Sequence, residues 1–367
     1  EPRIDFSNDA KGALLLEPQR LQLVDNSSNF FVGGWSGTRT SEGSTINAPN
    51  GNNEAHKLIA SSVNNSHFRE YTASSASSGS YTGSCFFKKG EFNVGAIRMS
   101  VDSYANRIGV YINLDNGTHL QTSTVGSPTG TSYKIENYGS GWYRLSVTII
   151  HTSGEVRMSL SNASSDYTNS NGLPVFLGNS SDGGYSWGAQ VEQGSYATSY
   201  IPTQGSAVTR SADSSSQTPP SGIIGQTEGT LFTEFEFNYS DSNTQVLLKA
   251  NQSSDANSVG IEILGTTIKG LVNSQSLNLA NIQGTIAIGK IKAAIAYKTN
   301  DIAFYVNGVQ VGIISSGSID FAGVVDILTI GHFSLNGGQY FPSSRPFNEA
   351  KLYNTRLSNA ELQALTS

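Results

Sequence analysis

The chain has 367 residues and a formal net charge of -6, long enough for two domains and too acidic overall for nucleic acid or anionic membranes, which select a basic surface. Charged residues are only 14% and glycines number 39, against roughly 25% charged residues in ordinary soluble domains. With abundant Ser, Thr and Asn, that composition excludes a mainly helical protein and leaves an all-β one, with no apolar run long enough to cross a membrane.

In chain order, Pro2–Phe6 and Ala13–Arg20 read as short strands around the turn Ser7–Gly12, with Pro18 marking an edge or bend. Trp35 is expected to pack in a core, the other reading being a sugar platform. Strands are expected over His67–Thr72, Tyr81–Lys88, Ala96–Asp102, Arg107–Leu114, Trp142–Ile150, Glu155–Ser161 and Val175–Leu177. Cys85, the only cysteine, lies in one of them, excludes an intrachain disulfide and reads as a buried inert thiol. In Tyr185–Glu192 the residues Tyr185, Trp187, Ala189 and Val191 alternate with Ser186, Gly188, Gln190 and Glu192, which predicts one buried and one polar face. The Ser- and Pro-rich stretch 214–222 reads as a linker, so that domains are expected over 1–213 and 223–367.

The second domain opens on the alternating Thr230–Phe237. Further strands are expected over Gln245–Ala250, Val259–Leu264, Thr267–Val272, Lys292–Tyr297, Asp326–Gly331 and Asn348–Tyr353. Asn307-Gly308 predicts a tight hairpin. The chain ends on one short helix, with Ser358 as N-cap and Glu361 three residues on.

Four stretches carry a resemblance: Leu14–Arg20, the turn Ala48–Gly51, Trp142–Val147 and Trp187–Arg210. Together they resemble the jelly-roll, carbohydrate-binding-like modules of bacteriophage tail fibres and spikes, over roughly residues 1–213. The hairpin around Asn307-Gly308, the strand Leu328–Gly331 and the stretch Ala350–Leu365 are similar to the concanavalin A-like, laminin-G-like sandwich. The two resemblances imply two tandem antiparallel β-sandwiches, a jelly roll followed by a concanavalin A-like domain. They also imply recognition of a polysaccharide or cell-surface glycan, a virion (tail) or extracellular location, and a homotrimer in a full-length parent. The chain opens on Glu1 without a signal peptide and reads as a fragment or a processed chain.

Candidate chemistry points to binding rather than turnover. Glu234 and Glu236 have the alternating spacing of sandwich-fold hydrolases, but they sit between Phe235 and Phe237 and read as a solvated face. The five histidines have no metal-ligand spacing. No cofactor is expected; Asp5, Asp9 and Asp241-Ser242-Asn243 are the candidates for a structural calcium of the kind jelly-roll modules carry. The candidate ligand-binding residues are Arg98, Asp102, Arg144, Gln190 and Glu192, expected on outward strand positions where they would converge if their strands share a sheet. A salt-bridge network or a subunit contact would give the same pattern. His332, Tyr340 and Arg345, around Gly337-Gly338, form a second candidate group. The chain therefore reads as a non-enzymatic glycan-recognition part of a phage fibre or spike. The alternatives are an accessory region of a secreted polysaccharide-degrading enzyme, a depolymerase with an unrecognised site, and a virion spacer.

Overall fold

Period-two alternation recurs along the long strands, and the two largest cores lie between facing sheets. The computed structural model describes residues 3–5, 10–74, 76–213, 215–238, 244–252, 255–331, 333–335, 338–340 and 346–367. The fold is nearly all β, with several antiparallel sheets; Asn359–Thr366 is the only helix among the described residues. The chain divides into a central unit, 20–210, and a split unit that joins 1–19 to 211–367.

That division differs from the expected boundary at residue 213. Ala13–Leu15 pairs with Pro346–Tyr353, and Leu16 is fully buried in the core of the split unit. Glu17 donates its backbone N–H to Asp213 Oδ2 at 3.0 Å, and Asp213 returns its own N–H to the Glu17 carbonyl at 2.8 Å. The apolar Leu14–Leu16 run finds its partner surface at the far end of the sequence. Part of the expected linker is also ordered, since Ser216–Gln217 pairs with Leu328 and Thr329.

The central unit packs two sheets face to face. One has six strands in the order His119–Val125, Asn106–Asn113, Val94–Val101, Val156–Ala163, Phe68–Ala73 and Trp35–Thr38. The other has eight strands, with Trp142–His151, Gly79–Lys88 and Gly183–Gln193 side by side at its centre. Between them lie Cys85, Phe87, Ile97, Met99, Val110, Leu145, Val147, Met158 and Val191. Trp35 joins this core and donates its indole N–H to the Asn26 carbonyl. Burial pushes the Cys85 thiol well above its ordinary range, as an inert core thiol requires.

One expected alternation breaks. The ladder between Gly183–Gln193 and Gly79–Lys88 shifts register between Trp187 and Gln190. Gly188 adopts φ 67, a conformation that suits a β-bulge. Ala189 and Val191 therefore enter the core, while Trp187 turns to the opposite face and packs with Phe86 and Trp142.

In the split unit a seven-stranded sheet centred on Glu228–Phe237 and Gly289–Lys298 packs on a six-stranded sheet centred on Gln245–Asn251 and Ser258–Leu264. The Asn307-Gly308 turn has φ 49 and 76, the primed geometry its sequence predicts. Ser358 caps the C-terminal helix reciprocally with Glu361, and Leu362 seats the helix on Phe232 and Ala294. Glu234 pairs across the strands with Lys290 at 3.0 Å.

Candidate functional site

The expected convergence of five polar residues does not form. Arg98 belongs to the six-stranded sheet, whereas Arg144, Gln190 and Glu192 belong to the eight-stranded one. Their outward faces lie on opposite sides of the core. Asp102 is not in a strand at all; the strand ends at Val101 and Asp102 opens a turn.

Gln190 and Glu192 are outward but fully buried, because the segment 194–203 closes over them. Glu192 accepts from Thr198 N and Thr198 Oγ1, and Gln190 donates to Glu192 Oε1 and accepts from Ile201 N. Arg20 Nε lies 3.6 Å from Glu192 Oε2. These groups fasten a loop and present nothing to solvent. Arg144 is buried over Phe86, with its guanidinium carbon 5.2 Å from the ring centroid and Nη2 donating to Ser84 Oγ.

The outward face of the six-stranded sheet is different. At one end stand Arg98, Arg107 and Arg157, with Glu70, Ser159 and Tyr104 among them. Arg98 is engaged through all three of its nitrogens: it donates to Glu70 Oε2 at 2.9 Å, to Ser159 Oγ and to the Asn171 carbonyl. Burial would raise the Glu70 carboxyl, but hydrogen bonds from Tyr104 and Ser159 and the Arg98 charge outweigh it and hold the group below its ordinary range. Burial of Tyr104 and its hydrogen bond to Glu70 push the phenol up. Tyr104 reaches this place from a turn in which Asp102, Ser103 and Tyr104 have φ 54, 54 and 67. Left-handed non-glycine residues cost roughly 1–3 kcal/mol each and need support. Asp102 supplies it by accepting from Thr152 N, Thr152 Oγ1, Ser153 N and Asn106 Nδ2. Partial burial opposes this set of bonds, which still holds its carboxyl down to about 2.

At the other end of the same face is a concavity of about 400 Å³ lined by Asn93, Val94, Asn113, Leu120, Gln121, Ser165 and Tyr167. Tyr167 stacks on Tyr111 at 5.2 Å with an interplanar angle of 3°. Tyr111 is fixed beneath by a 2.6 Å hydrogen bond from Asn169. Asn93 is oriented by donating to Asp115 Oδ2 and Asn113 by accepting from Asp115 N. The Gln121 amide and the Tyr167 hydroxyl hold no hydrogen bond among the described residues. Between the two ends, Asn171-Gly172 crosses the sheet. It does so over Gly109, where a side-chain carbon would lie only 2.1 Å from the Gly172 carbonyl oxygen.

Of the residues that face this side of the sheet and its end turn, the sequence singles out Arg98 and Asp102 and gives no reason to single out Asn93, Asn113, Gln121 or Tyr167. The available signal was the turn Asp115-Asn116-Gly117, which marks a hairpin and brings the strands ending at Asn113 and starting at His119 together. His332, Arg345, Asp9 and Asp241-Ser242-Asn243 lie outside the described residues, as do the side chains of Tyr340 and Asp5. Among the described residues no group of three or more His, Cys, Asp or Glu is placed to hold a metal ion. The split unit has a polar cleft of about 560 Å³ lined by Glu228, Lys298, Asp301, Arg356, Ser358, Asn359 and Glu361. Its two cations are already paired, Arg356 with Asp301 at 2.7 Å and Lys298 with Glu228 at 3.4 Å, and Glu361 is engaged by Ser358.

No protein-family model and no curated protein sequence matches the chain. Solved structures that resemble it include the Ruminococcus gnavus IT-sialidase CBM40, at 15% identity and a TM-score of 0.35 over 39% of this chain and 84% of that one. The leech intramolecular trans-sialidase complexed with 2,7-anhydro-Neu5Ac matches at 17% identity and 0.36, over 42% of this chain and 26% of that one. The binding domain of botulinum neurotoxin DC in complex with rat synaptotagmin II matches at 10% and 0.30, over 38% and 35%. At these identities and TM-scores the likenesses carry no argument about ligand or activity.

Proposed function

We propose that the central unit recognises glycans without catalysis, and that the sugar docks in the concavity between Asn93, Asn113, Gln121 and Tyr167. The observation that carries this reading is the pairing of an aromatic platform with an uncommitted amide. Tyr167 is stacked rigidly on Tyr111, and Gln121 stands beside it with its amide unengaged. A pyranose offers an apolar C–H face to a tyrosine ring and vicinal hydroxyls to planar amides. A shallow, mostly preformed site with a few aimed polar groups suits such a ligand.

In this proposal the chain serves as part of a phage tail fibre or spike, on the virion or outside the cell, with a homotrimer formed in the full-length parent. The jelly-roll resemblance supports that placement. The reading requires no cofactor. An accessory role in a secreted polysaccharide-degrading enzyme uses the same site. A depolymerase would release reducing ends from a polysaccharide panel, and a virion spacer would bind nothing.

The test is a glycan array that includes sialyllactose, followed by calorimetric titration of each hit. Gln121→Ala and Asn113→Ala are expected to weaken binding by about tenfold each, since a hydrogen bond and its desolvation are worth roughly 1–3 kcal/mol. An array with no hit, or hits unaffected by both substitutions, would refute the proposal.

A further inference from the structure

Ser100 stands between two arginines. The antiparallel registers pair it with Arg107 on one neighbouring strand and with Arg157 on the other. Adjacent strands lie about 4.8 Å apart, so the two arginines rise from the same face roughly 10 Å apart. Tyr104 folds back between them, its ring centroid 5.7 Å from the Arg107 guanidinium carbon and 4.4 Å from that of Arg157. Three guanidinium groups, counting Arg98, meet two carboxylates here. Glu70 is engaged by Arg98, Ser159, Tyr104 and Arg157, and Glu155 by Arg157. Asp102 is turned to Thr152 and Ser153.

Arg107 is left over. Its one hydrogen bond runs from Nε to the Tyr104 carbonyl at 2.8 Å, and among the described residues no carboxylate pairs with it. The residue is half-buried. A guanidinium anchored at Nε, with its two outer nitrogens uncommitted, is a preoriented fork for a planar oxyanion. The neighbouring Arg157 adds positive charge, and Tyr104 keeps the two cations apart.

We propose that Arg107 binds the carboxylate of an acidic sugar, of the uronate or sialate class, with Tyr104 and Arg157 as positioning residues. This rests on the glycan reading and deepens it. Arg107 and Asn113 lie on one strand, six residues and about 20 Å apart. The ligand that uses both ends of the face is therefore an acidic oligosaccharide and not a single sugar.

The experiment uses the full chain and three probes: a glucuronate-containing oligosaccharide, the same oligosaccharide with its carboxyls reduced to alcohols, and inorganic phosphate. Arginine Nε–Hε resonances report on Arg107 directly. The acidic form is expected to shift the Arg107 signal and to bind at least about tenfold tighter than the reduced form, the size of one charge-assisted hydrogen bond. Arg107→Gln should abolish that gain, Arg107→Lys should restore part of it, and Gln121→Ala should weaken both oligosaccharides alike. Equal binding of the two forms, both weakened by Gln121→Ala, would overturn the carboxylate site and leave the glycan reading standing. No binding of either form would overturn the carboxylate site and leave the glycan reading to the array. A shift of Arg107 by phosphate as large as that by the acidic oligosaccharide would overturn the assignment to a sugar carboxylate.

Discussion

Glu192 binds Thr198 twice, accepting the backbone N–H at 2.6 Å and the side-chain hydroxyl at 2.7 Å. Both residues are buried, so one carboxylate ties the segment 194–203 to the sheet. Removing it strands the Thr198 amide inside a buried polar network that also includes Arg20. Glu192→Ala should therefore cost about 3–5 kcal/mol, the usual loss when one partner of a buried charge network is deleted. At roughly 2–4 °C per kcal/mol, calorimetry should show a melting point lower by on the order of 10 °C. A shift of a degree or less would mean the loop is held by other contacts.

Acid should loosen the turn that carries Tyr104. The Asp102 carboxyl titrates at about 2 in the folded chain against an ordinary value of 3.8. A folded value below the unfolded one means the stabilisation is present above pH 4 and is lost as pH falls toward 2. Glu70, also held low, adds to the loss in the acid range. Asp102→Asn should lower the melting temperature at pH 6 and flatten its decline on acidification. An unchanged acid slope would show that Asp102 does not support the turn.

Much of this was legible in the sequence. The alternation of Trp142–Ile149, the Asn307-Gly308 hairpin and the Ser358/Glu361 cap all gave the right local structure. Each is a short-range effect, set by neighbours within a few residues. What sequence could not carry was which sheet a strand joins and what covers an outward position. Arg144, Gln190 and Glu192 sit on outward positions as expected, yet a segment that follows them in sequence buries Gln190 and Glu192. The bulge at Gly188 reversed Trp187 for a similar reason: a glycine announces freedom, not the use made of it. The concavity depends on strands paired at long range and on Tyr167 in a connecting turn, where no periodicity exists.

Gly109 tests the crossing of Asn171-Gly172. A methyl group there would meet the Gly172 carbonyl oxygen at 2.1 Å. Gly109→Ala should push the crossing segment off the sheet and break the Arg98 hydrogen bond to the Asn171 carbonyl. Overpacking of this kind costs roughly 1–3 kcal/mol, readable as a lower midpoint in urea. An unaltered midpoint would show that the segment yields freely.

Proteolysis should be narrower than the Ser- and Pro-rich composition suggests. Asp213 is tied to Glu17, Ser215 accepts from Ile330 N, and Ser216–Gln217 is paired. Residues 218 and 220–223 are exposed. Cleavage is expected within 218–223 and not at 215–217, with mass spectrometry of the first-formed fragments locating the cut. Early cuts at 215–217 would show that the pairing frays.

Docking of a glycan at the Asn93–Asn113–Gln121–Tyr167 concavity, as proposed, can be read by amide chemical-shift mapping with an array-selected oligosaccharide. The expected result is a set of perturbed signals concentrated on Asn93, Asn113, Gln121, Ser165 and Tyr167, with the Gln121 side-chain amide among the largest. Saturable shifts confined to Glu228, Lys298, Asp301 and Arg356 in the split unit, with the central unit silent, would contradict it.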